Sequence, residues 1–329
     1  MKKVAIGFVH GHTPKWLQTF LYSLKNTYSS IPFDIFIANS DPGHPSIKAI
    51  LGNGLADNVT IVDCTNRRHC HGTGLDNILG LLDPNEYEYF FTTETDCKVM
   101  QPDWLNWFYK FAKDNTKMGA AGFYWSEGDH HNNINPSATL YRVDMLKHYT
   151  KEVLGNKDNT FYHWQENKPE NHPDVNKFIE TIHGAFSEHR GIKNPTPVQD
   201  KYLREGVPFT GWFEPGQWLY CRMQGEWEET RVPCDHVYMK VAHHDVPEGT
   251  YYGGKANPQF IHYWGGTRAY DFLRGPMVDK FVQTCTNFWL EREDRIWKET
   301  VPEPYRQIVY DIEAEMNVEE LKQKNLFGR

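Results

Sequence analysis

Two acidic residues, Glu94 and Asp96, directly follow the aromatic and apolar run Tyr87–Thr93. A run of this length and composition predicts a buried strand, so both carboxylates stand just beyond a strand end. Mg²⁺ and Mn²⁺ prefer oxygen ligands, usually one or two carboxylates together with substrate phosphates. The pair therefore predicts a divalent-metal site, and the alternative is a polar turn in which one acid caps the next helix.

A second segment that could do chemistry is Phe260-Ile261-His262-Tyr263-Trp264-Gly265-Gly266-Thr267-Arg268. The neutral imidazole of His262 is a ligand that suits Mn²⁺ better than Mg²⁺. The glycine pair would allow a loop to close over a diphosphate, to which Arg268 would supply positive charge. The alternative is a strand with a hydrogen-bonded histidine, followed by a flexible turn.

Short apolar runs alternate with helical patterns in the N-terminal part of the chain, where Thr13 and Pro14 have the residue types of a helix N-cap and first turn. This alternation predicts an α/β fold with a mostly parallel sheet. In such sheets ligands bind beyond the carboxyl ends of the strands. The predicted strands here are Val4–Val9, Ile35–Ala38, Val59–Val62 and Tyr87–Thr93, and the predicted helices start at Pro14 and span Leu75–Leu82.

The remaining pattern predicts one large domain over residues 1–273, with halves of about 1–110 and 111–273, and a helical extension over 274–329. No internal repeat is present. The predicted strands are Met118–Trp125, Ser137–Arg142 and Val237–Val241, and the predicted helices are Val143–Tyr149, Val175–Ala185, Gln217–Met223, Met277–Glu299 and Glu303–Lys324.

The composition excludes several classes of protein. A net charge of −8 over 329 residues argues against a general nucleic-acid binder. No stretch approaches 18 apolar residues, and the N-terminal apolar run is too short for a signal peptide. The six cysteines form no CxxC pair, and the spacing of Cys64 with His69-Cys70-His71 matches no standard zinc site. We therefore expect a cytoplasmic protein with reduced thiols, of bacterial or viral origin.

Four segments in order resemble the nucleotide-binding half of a GT-A fold glycosyltransferase of the large family-2 type. They are Tyr22-Ser23-Leu24, then Asn39-Ser40-Asp41-Pro42-Gly43, then His71-Gly72-Thr73-Gly74-Leu75-Asp76-Asn77, and finally Glu94-Thr95-Asp96 continuing to Pro102-Asp103-Trp104-Leu105. The resemblance covers residues 4 to about 145. Glu94 stands where the family's Asp-x-Asp motif has its first Asp.

The resemblance implies a GT-A-like, Rossmann-like mixed sheet flanked by helices, and transfer of a sugar from a nucleotide-diphosphate sugar to a hydroxyl acceptor. It implies Mn²⁺ or Mg²⁺ held by Glu94, Asp96 and His262, because several GT-A families bring a late histidine to the metal. UDP is the expected nucleotide, and the acceptor would be a glycan or a modified DNA base. The residues expected to contact the nucleotide are His10, Asn39, Asp41, Arg67, Asp76, Thr93 and Arg268.

A later segment, Gly211–Pro233, resembles the acceptor half of the same family, in which an acidic pair opens a helix. By this resemblance Glu214 is the general base of an inverting transfer, with Pro215 in place of the second acid. The alternative is that Glu214 only begins a helix, with Asp200 or Asp235 as weaker candidates for the base. Two other functional classes stay open: a GT-A-like glycan- or nucleotide-binding protein without catalysis, and a metal hydrolase built on histidines.

Overall fold

The computed structural model describes residues 2–64, 71–113, 115–122, 124–125, 133–134, 136–154, 223, 225–241, 243–266 and 280–316. Within these ranges the helices are α1 (Pro14–Lys25), α2 (Ser46–Gly52), α3 (His71–Leu81), α4 (Trp104–Tyr109), α5 (Val143–Leu154), α6 (Lys280–Thr300) and α7 (Glu303–Glu315). The strands are β1 (Lys3–His10), β2 (Phe33–Asn39), β3 (Val59–Asp63), β4 (Tyr87–Thr93), β5 (Cys97–Val99), β6 (Met118–Gly122), β7 (Tyr124–Trp125), β8 (Asn133–Ile134), β9 (Ala138–Arg142), β10 (Glu228–Arg231), β11 (Cys234–Val241), β12 (His244–Tyr252) and β13 (Phe260–Tyr263).

The central layer of the described structure is a seven-stranded sheet with the order β10-β6-β9-β4-β1-β2-β3. Strand β1 pairs in parallel with both β2 and β4, and β2 pairs in parallel with β3. Only β9 runs against its neighbours, β4 and β6, since β10 is parallel to β6. The carboxyl ends of β1 to β4 therefore meet at one edge, which confirms the predicted α/β fold with a mostly parallel sheet.

Helices cover both faces of this sheet, because successive side chains of a strand point to opposite faces. On β1, Ile6 and Phe8 belong to an apolar cluster shared with α1, whereas Ala5 belongs to a second cluster shared with α3. Helix α1 has the predicted apolar face, with its leucines and Phe20 buried. Burial on both faces explains why the inner strands read as nearly continuous apolar runs.

A second, four-stranded antiparallel sheet has the order β11-β12-β13-β5. Strand β5 follows β4 after a three-residue connection, so this connection joins the two sheets. Aromatic rings fill the space beside it: Phe260 of β13 stacks on Trp104 at 5.3 Å between ring centroids, and its ring lies 5.7 Å from that of Phe91. Strands β5 and β12 were not predicted from the sequence pattern.

The C-terminal helices pack on the sheet-bearing part of the chain. Trp297 of α6 is fully buried in the same cluster as Leu17 of α1, and its indole Nε1 donates a 2.6 Å hydrogen bond to Oε1 of Gln18. Val309 of α7 belongs to that cluster as well. No helix in the described part of the chain combines the length and apolar character needed to cross a membrane.

Several predicted elements differ from those observed. Helix α3 begins at His71 rather than Leu75, and Met118–Trp125 is not one strand, because it divides between β6 and β7 in different sheets. Thr13 precedes α1 but makes no side-chain capping bond, since its hydroxyl lies 3.3 Å from that of Thr95. The predicted helices Val175–Ala185 and Gln217–Met223 lie outside the described residues, except for Met223.

Candidate metal centre

Glu94 and Asp96 lie in the connection between β4 and β5, at the carboxyl edge of the main sheet. The β4 strand is buried along nearly its whole length, which fixes where the connection begins. Asp96 is only 1% exposed, whereas the Glu94 side chain is 27% exposed. The predicted position of both acids just beyond a strand end is therefore observed.

His262 reaches the same place from β13. Strand β13 pairs with β5 so that His262 lies opposite Cys97, the residue that follows Asp96. Nε2 of His262 lies 3.5 Å from Oε2 of Glu94 and 3.6 Å from Oδ1 of Asp96. The ligand atoms of all three side chains lie within 4.8 Å of one another.

This donor set fits a divalent cation. Two ligand atoms that are each about 2.1 Å from one ion lie roughly 3.0–3.5 Å apart, close to the 3.5 and 3.6 Å separations from His262. Asp96 Oδ1 is buried and has no hydrogen-bond partner among the described residues. A buried carboxylate oxygen normally has a partner, and a cation would provide one.

Ser137 orients Glu94. Its hydroxyl donates a 2.6 Å hydrogen bond to Oε1 of Glu94, so one carboxylate oxygen is held from behind and the other, Oε2, faces His262. Thr93 lies beneath this contact, and its hydroxyl donates to the carbonyl of Ser137 at 3.1 Å. The hydrogen bond from Ser137 thus fixes the position of the Glu94 carboxylate.

The charges of the three groups are mutually dependent. Burial raises the pKa of the Asp96 carboxyl to about 6, against the opposing effect of the His262 imidazole. Burial also opposes ionisation of Glu94, but attraction to His262 outweighs it and lowers the pKa of Glu94. For His262, burial disfavours the imidazolium, yet the two carboxylates prevail and raise its pKa. The imidazolium of His262 and the two carboxylates therefore stabilise one another's charged forms.

Three of the predicted nucleotide-contacting residues form one buried cluster at the carboxyl ends of β1 and β2. His10 Nε2 lies 2.8 Å from the hydroxyl of Ser46, and Asn39 donates from Nδ2 to Oδ1 of Asp63 at 3.0 Å. Oδ1 of Asn39 accepts a 3.2 Å bond from the backbone N–H of Asp41. Oδ2 of Asp41 is buried without a hydrogen-bond partner in the described residues, as is Nδ1 of His10.

The other predicted residues are placed differently. Thr93 is fully buried and its hydroxyl is engaged inside the sheet, and Asp76 is partly exposed on α3. Arg67, Arg268 and the predicted general base Glu214 lie outside the described residues.

Three residues around the centre were not predicted from the sequence, namely Trp16, Ser137 and Arg292, and neither was the steric requirement for glycine at position 266. A Cβ atom at Gly266 would lie 2.6 Å from Cβ of Asp96 and 2.6 Å from Nε1 of Trp16, so only glycine fits there. The sequence predicts only that Gly265 and Gly266 allow a loop to close over a diphosphate. The available signal for the closer role of Gly266 was its position four residues after His262. Nothing in the local sequence pointed to Ser137 or Arg292.

Comparisons with known proteins return matches among solved structures alone, since no family model and no curated protein matches the chain. Mannosyltransferase PcManGT from Pyrobaculum calidifontis in complex with GDP-Man and Mn²⁺ is 14% identical over 45% of this chain and 46% of its own, with a TM-score of 0.36. S. aureus TarS 1-349 is 13% identical over 56% of this chain and 55% of its own, also with a TM-score of 0.36. Glucosyl-3-phosphoglycerate synthase from Mycobacterium tuberculosis, in complex with Mn²⁺, UDP and glucosyl-3-phosphoglycerate, is 8% identical over 44% of this chain and 58% of its own, with a TM-score of 0.35. In each case the match spans less than two thirds of the other chain.

Proposed function

We propose that this chain is a metal-dependent glycosyltransferase of the GT-A type, which transfers a sugar from a nucleotide-diphosphate sugar to a hydroxyl group. The observation that carries the proposal is the convergence of Glu94, Asp96 and His262 at the carboxyl edge of a mostly parallel sheet. That edge is where open α/β sheets bind their ligands. The ordered motifs resembling this family supply the second, independent support.

In this proposal Glu94, Asp96 and His262 would hold Mn²⁺ or Mg²⁺, with Mn²⁺ favoured by the imidazole. The bound ion would supply positive charge that neutralises the leaving diphosphate. The side chains keep their ligand atoms close together before binding, since Ser137 holds Glu94 and the sheet register holds His262. Little rearrangement is then needed on binding, which favours affinity.

The nucleoside would lie over the cluster of His10, Asn39 and Asp41 at the ends of β1 and β2. Asp41 Oδ2 is the buried acceptor that lacks a partner among the described residues, so it is suited to receive an N–H or O–H donor from a base or ribose. Arg67 and Arg268 are proposed to face the diphosphate, on the strength of their charge and their place in the motif series.

Glu214 is proposed as the general base that removes the proton of the acceptor hydroxyl in an inverting transfer. It precedes a helical pattern and neighbours Trp212, Phe213 and Trp218 in the sequence. Apolar neighbours raise the pKa of a carboxyl group toward the range useful to a base, and aromatic rings suit sugars. The acceptor is proposed to be a hydroxyl compound, in the first place a glycan.

Calorimetric titration of the full chain with UDP, with and without Mn²⁺, tests the proposal, followed by a thermal-shift screen of nucleotide sugars. We expect UDP or another nucleoside diphosphate to bind with Mn²⁺ and only weakly with EDTA. Equal affinity in EDTA would refute the metal-dependent site. Metal-dependent binding of nucleotide sugars with neither hydrolysis nor transfer would instead favour a binding protein of the same fold.

A further inference from the structure

Arg292 of α6 is a buried cation close to the candidate metal centre. Its side chain is 3% exposed, and its guanidinium carbon lies 5.5 Å from the ring centroids of Tyr263 and Phe288. No ion pair within 4.0 Å joins Arg292 to a carboxylate among the described residues. Burying a guanidinium in this way is costly unless its N–H groups are well bonded. The groups that accept its hydrogen bonds therefore show which part of the fold Arg292 stabilises.

Both arms of the guanidinium donate to backbone carbonyls beside the end of β13. Nη1 donates to the carbonyl of Glu248, and Nη2 donates to the carbonyl of Trp264 at 2.6 Å. The Glu248 carbonyl also accepts the backbone N–H of Trp264 at 3.2 Å. The rigid fork of Arg292 therefore ties two strands together at the point where the chain leaves β13.

The turn that Arg292 holds, residues 264–266, lies between α6 and Asp96. Gly265 has a φ of 75°, and a Cβ there would lie 2.4 Å from the Trp289 ring. On the other side, a Cβ at Gly266 would lie 2.7 Å from Oδ2 of Asp96. The backbone N–H of Tyr263 donates to the carbonyl of Asp96 at 2.7 Å. The turn is thus packed directly against the side chain of Asp96, and the residue before the turn is bonded to the main chain of Asp96.

We propose that Arg292 is a positioning residue of the metal centre: its guanidinium holds the turn 264–266, and this turn holds the Asp96 carboxylate in place for a divalent cation. The C-terminal helix α6 is then part of the functional site rather than a separate extension. The inference rests on the proposed function, since it concerns metal binding at the same three residues. It adds a residue outside the region of family resemblance.

The direction in which Mn²⁺ affinity changes when Arg292 is substituted distinguishes a positioning role from a purely electrostatic one. A positive charge near the site repels a cation, so removal of the charge alone would tighten Mn²⁺ binding. Loss of positioning would weaken it, and changes to residues that orient metal ligands typically cost about 10–100-fold in affinity. Arg292→Lys keeps the charge but cannot reproduce the planar two-armed contact.

The experiment is an electron paramagnetic resonance titration of the full chain with Mn²⁺, alone and with UDP, for the unaltered protein, Arg292→Met and Arg292→Lys. Lys15→Met is the matched control, because Lys15 links α1 to Asp294 of α6 and to Glu313 of α7 without touching the turn. Gly266→Ala tests the same inference independently, since its Cβ atom would displace Asp96 while Arg292 stays unchanged. Melting temperatures and amide hydrogen exchange of the turn are measured alongside.

We expect both Arg292 variants and Gly266→Ala to bind Mn²⁺ about 10–100-fold more weakly, with faster exchange in the turn. Lys15→Met should stay within about twofold of the unaltered protein, even if it melts at a similarly lower temperature. Mn²⁺ binding by Arg292→Lys that is unchanged or tighter overturns the inference while leaving the proposed function intact. If Arg292→Met fails to fold, the Mn²⁺ affinities of Arg292→Lys and Gly266→Ala test the inference. No Mn²⁺ binding by the unaltered protein, alone or with UDP, overturns the proposed function and this inference together.

Discussion

The hydroxyl of Ser137 donates a 2.6 Å hydrogen bond to Oε1 of Glu94. Ser137 immediately precedes β9, which pairs with β4 in the antiparallel direction, so the pairing of these two strands brings the serine to the acid. Because Oε1 of Glu94 is bonded to Ser137, the other carboxylate oxygen, Oε2, faces His262.

Ser137→Ala should therefore weaken Mn²⁺ binding by about 10-fold, because Glu94 loses the bond that orients it. The free energy of unfolding should fall by about 1.5–3 kcal/mol, the typical contribution of a hydrogen bond to a charged group. Ser29→Ala is a suitable control, since Ser29 bonds the carbonyl of Ile31 far from the acids. Mn²⁺ titration and chemical denaturation of both variants check the prediction, and equal Mn²⁺ affinities would contradict it.

Asp96→Asn should reduce UDP binding in Mn²⁺ to the level found in EDTA. The amide has nearly the same size as the carboxylate, but it lacks the charge that a cation requires. Burial raises the pKa of Asp96, so its ionised form is unfavourable in the metal-free fold, and the variant should melt at an equal or higher temperature. Calorimetry and melting curves are the measurements, with Asp311→Asn, on the exposed side of α7, as control. Normal Mn²⁺-dependent binding by Asp96→Asn would show that the metal lies elsewhere.

Mn²⁺ affinity should decrease as the pH falls, and the decrease should begin above about pH 6.5. The carboxylates raise the pKa of His262 above that of an ordinary histidine, and a protonated imidazole cannot bind a metal. Titrations across a pH series test this in the unaltered protein and in His262→Asn, which should bind more weakly and lose much of the dependence. His243→Asn, at an exposed turn, should keep the original profile. A flat profile in the unaltered protein would exclude His262 as a ligand.

His10 should make the fold less stable at mildly acidic pH. Burial, with a smaller contribution from His44, lowers the pKa of His10 to about 3, whereas an unfolded histidine has a pKa near 6.5. Between these values the unfolded chain binds one more proton than the folded chain, so stability falls with decreasing pH. The contribution is at most about 1.4 kcal/mol per pH unit.

Denaturant unfolding at about pH 7 and about pH 5 measures this dependence. His10→Asn should be less stable than the unaltered protein at the higher pH because the bond to Ser46 changes, but it should show a shallower loss on acidification. His148→Asn, at an exposed position of α5, should leave the slope unchanged. If the slope of His10→Asn equals that of the unaltered protein, the acid sensitivity has another origin.

Glu214→Gln should slow transfer by about 10²–10⁴-fold, because the amide keeps the size of the side chain but cannot accept the acceptor's proton. Nucleotide-sugar binding and melting temperature should stay near their original values. Glu228→Gln, in the short edge strand β10, is the control. A rate within a few-fold of the original would place the base elsewhere, and retention of configuration in the product would remove the need for one.

Elements with a local signal can be predicted from the amino-acid sequence alone. The run Tyr87–Thr93 coincides with β4 in both bounds, and the pattern after Thr13-Pro14 marks the start of α1. A buried strand shows as an apolar run, and a surface helix as a 3.6-residue period, within the segment itself. The acids at the end of β4 could be read as ligands for the same reason, because their position depends only on where that strand stops.

The residues that surround Glu94 and Asp96 are brought there by contacts between segments distant in the sequence. The pairing of β13 with β5 brings His262 next to Asp96, and a register shift of one residue would turn its side chain to the other face of the sheet. Ser137 arrives through the pairing of β9 with β4, and Arg292 through the packing of α6 against the rest of the fold. These placements are set by the burial of apolar side chains distant in sequence, such as Trp297 against α1. A local sequence pattern cannot predict these partners, because the free energy that selects them comes from close packing of side chains throughout the folded protein.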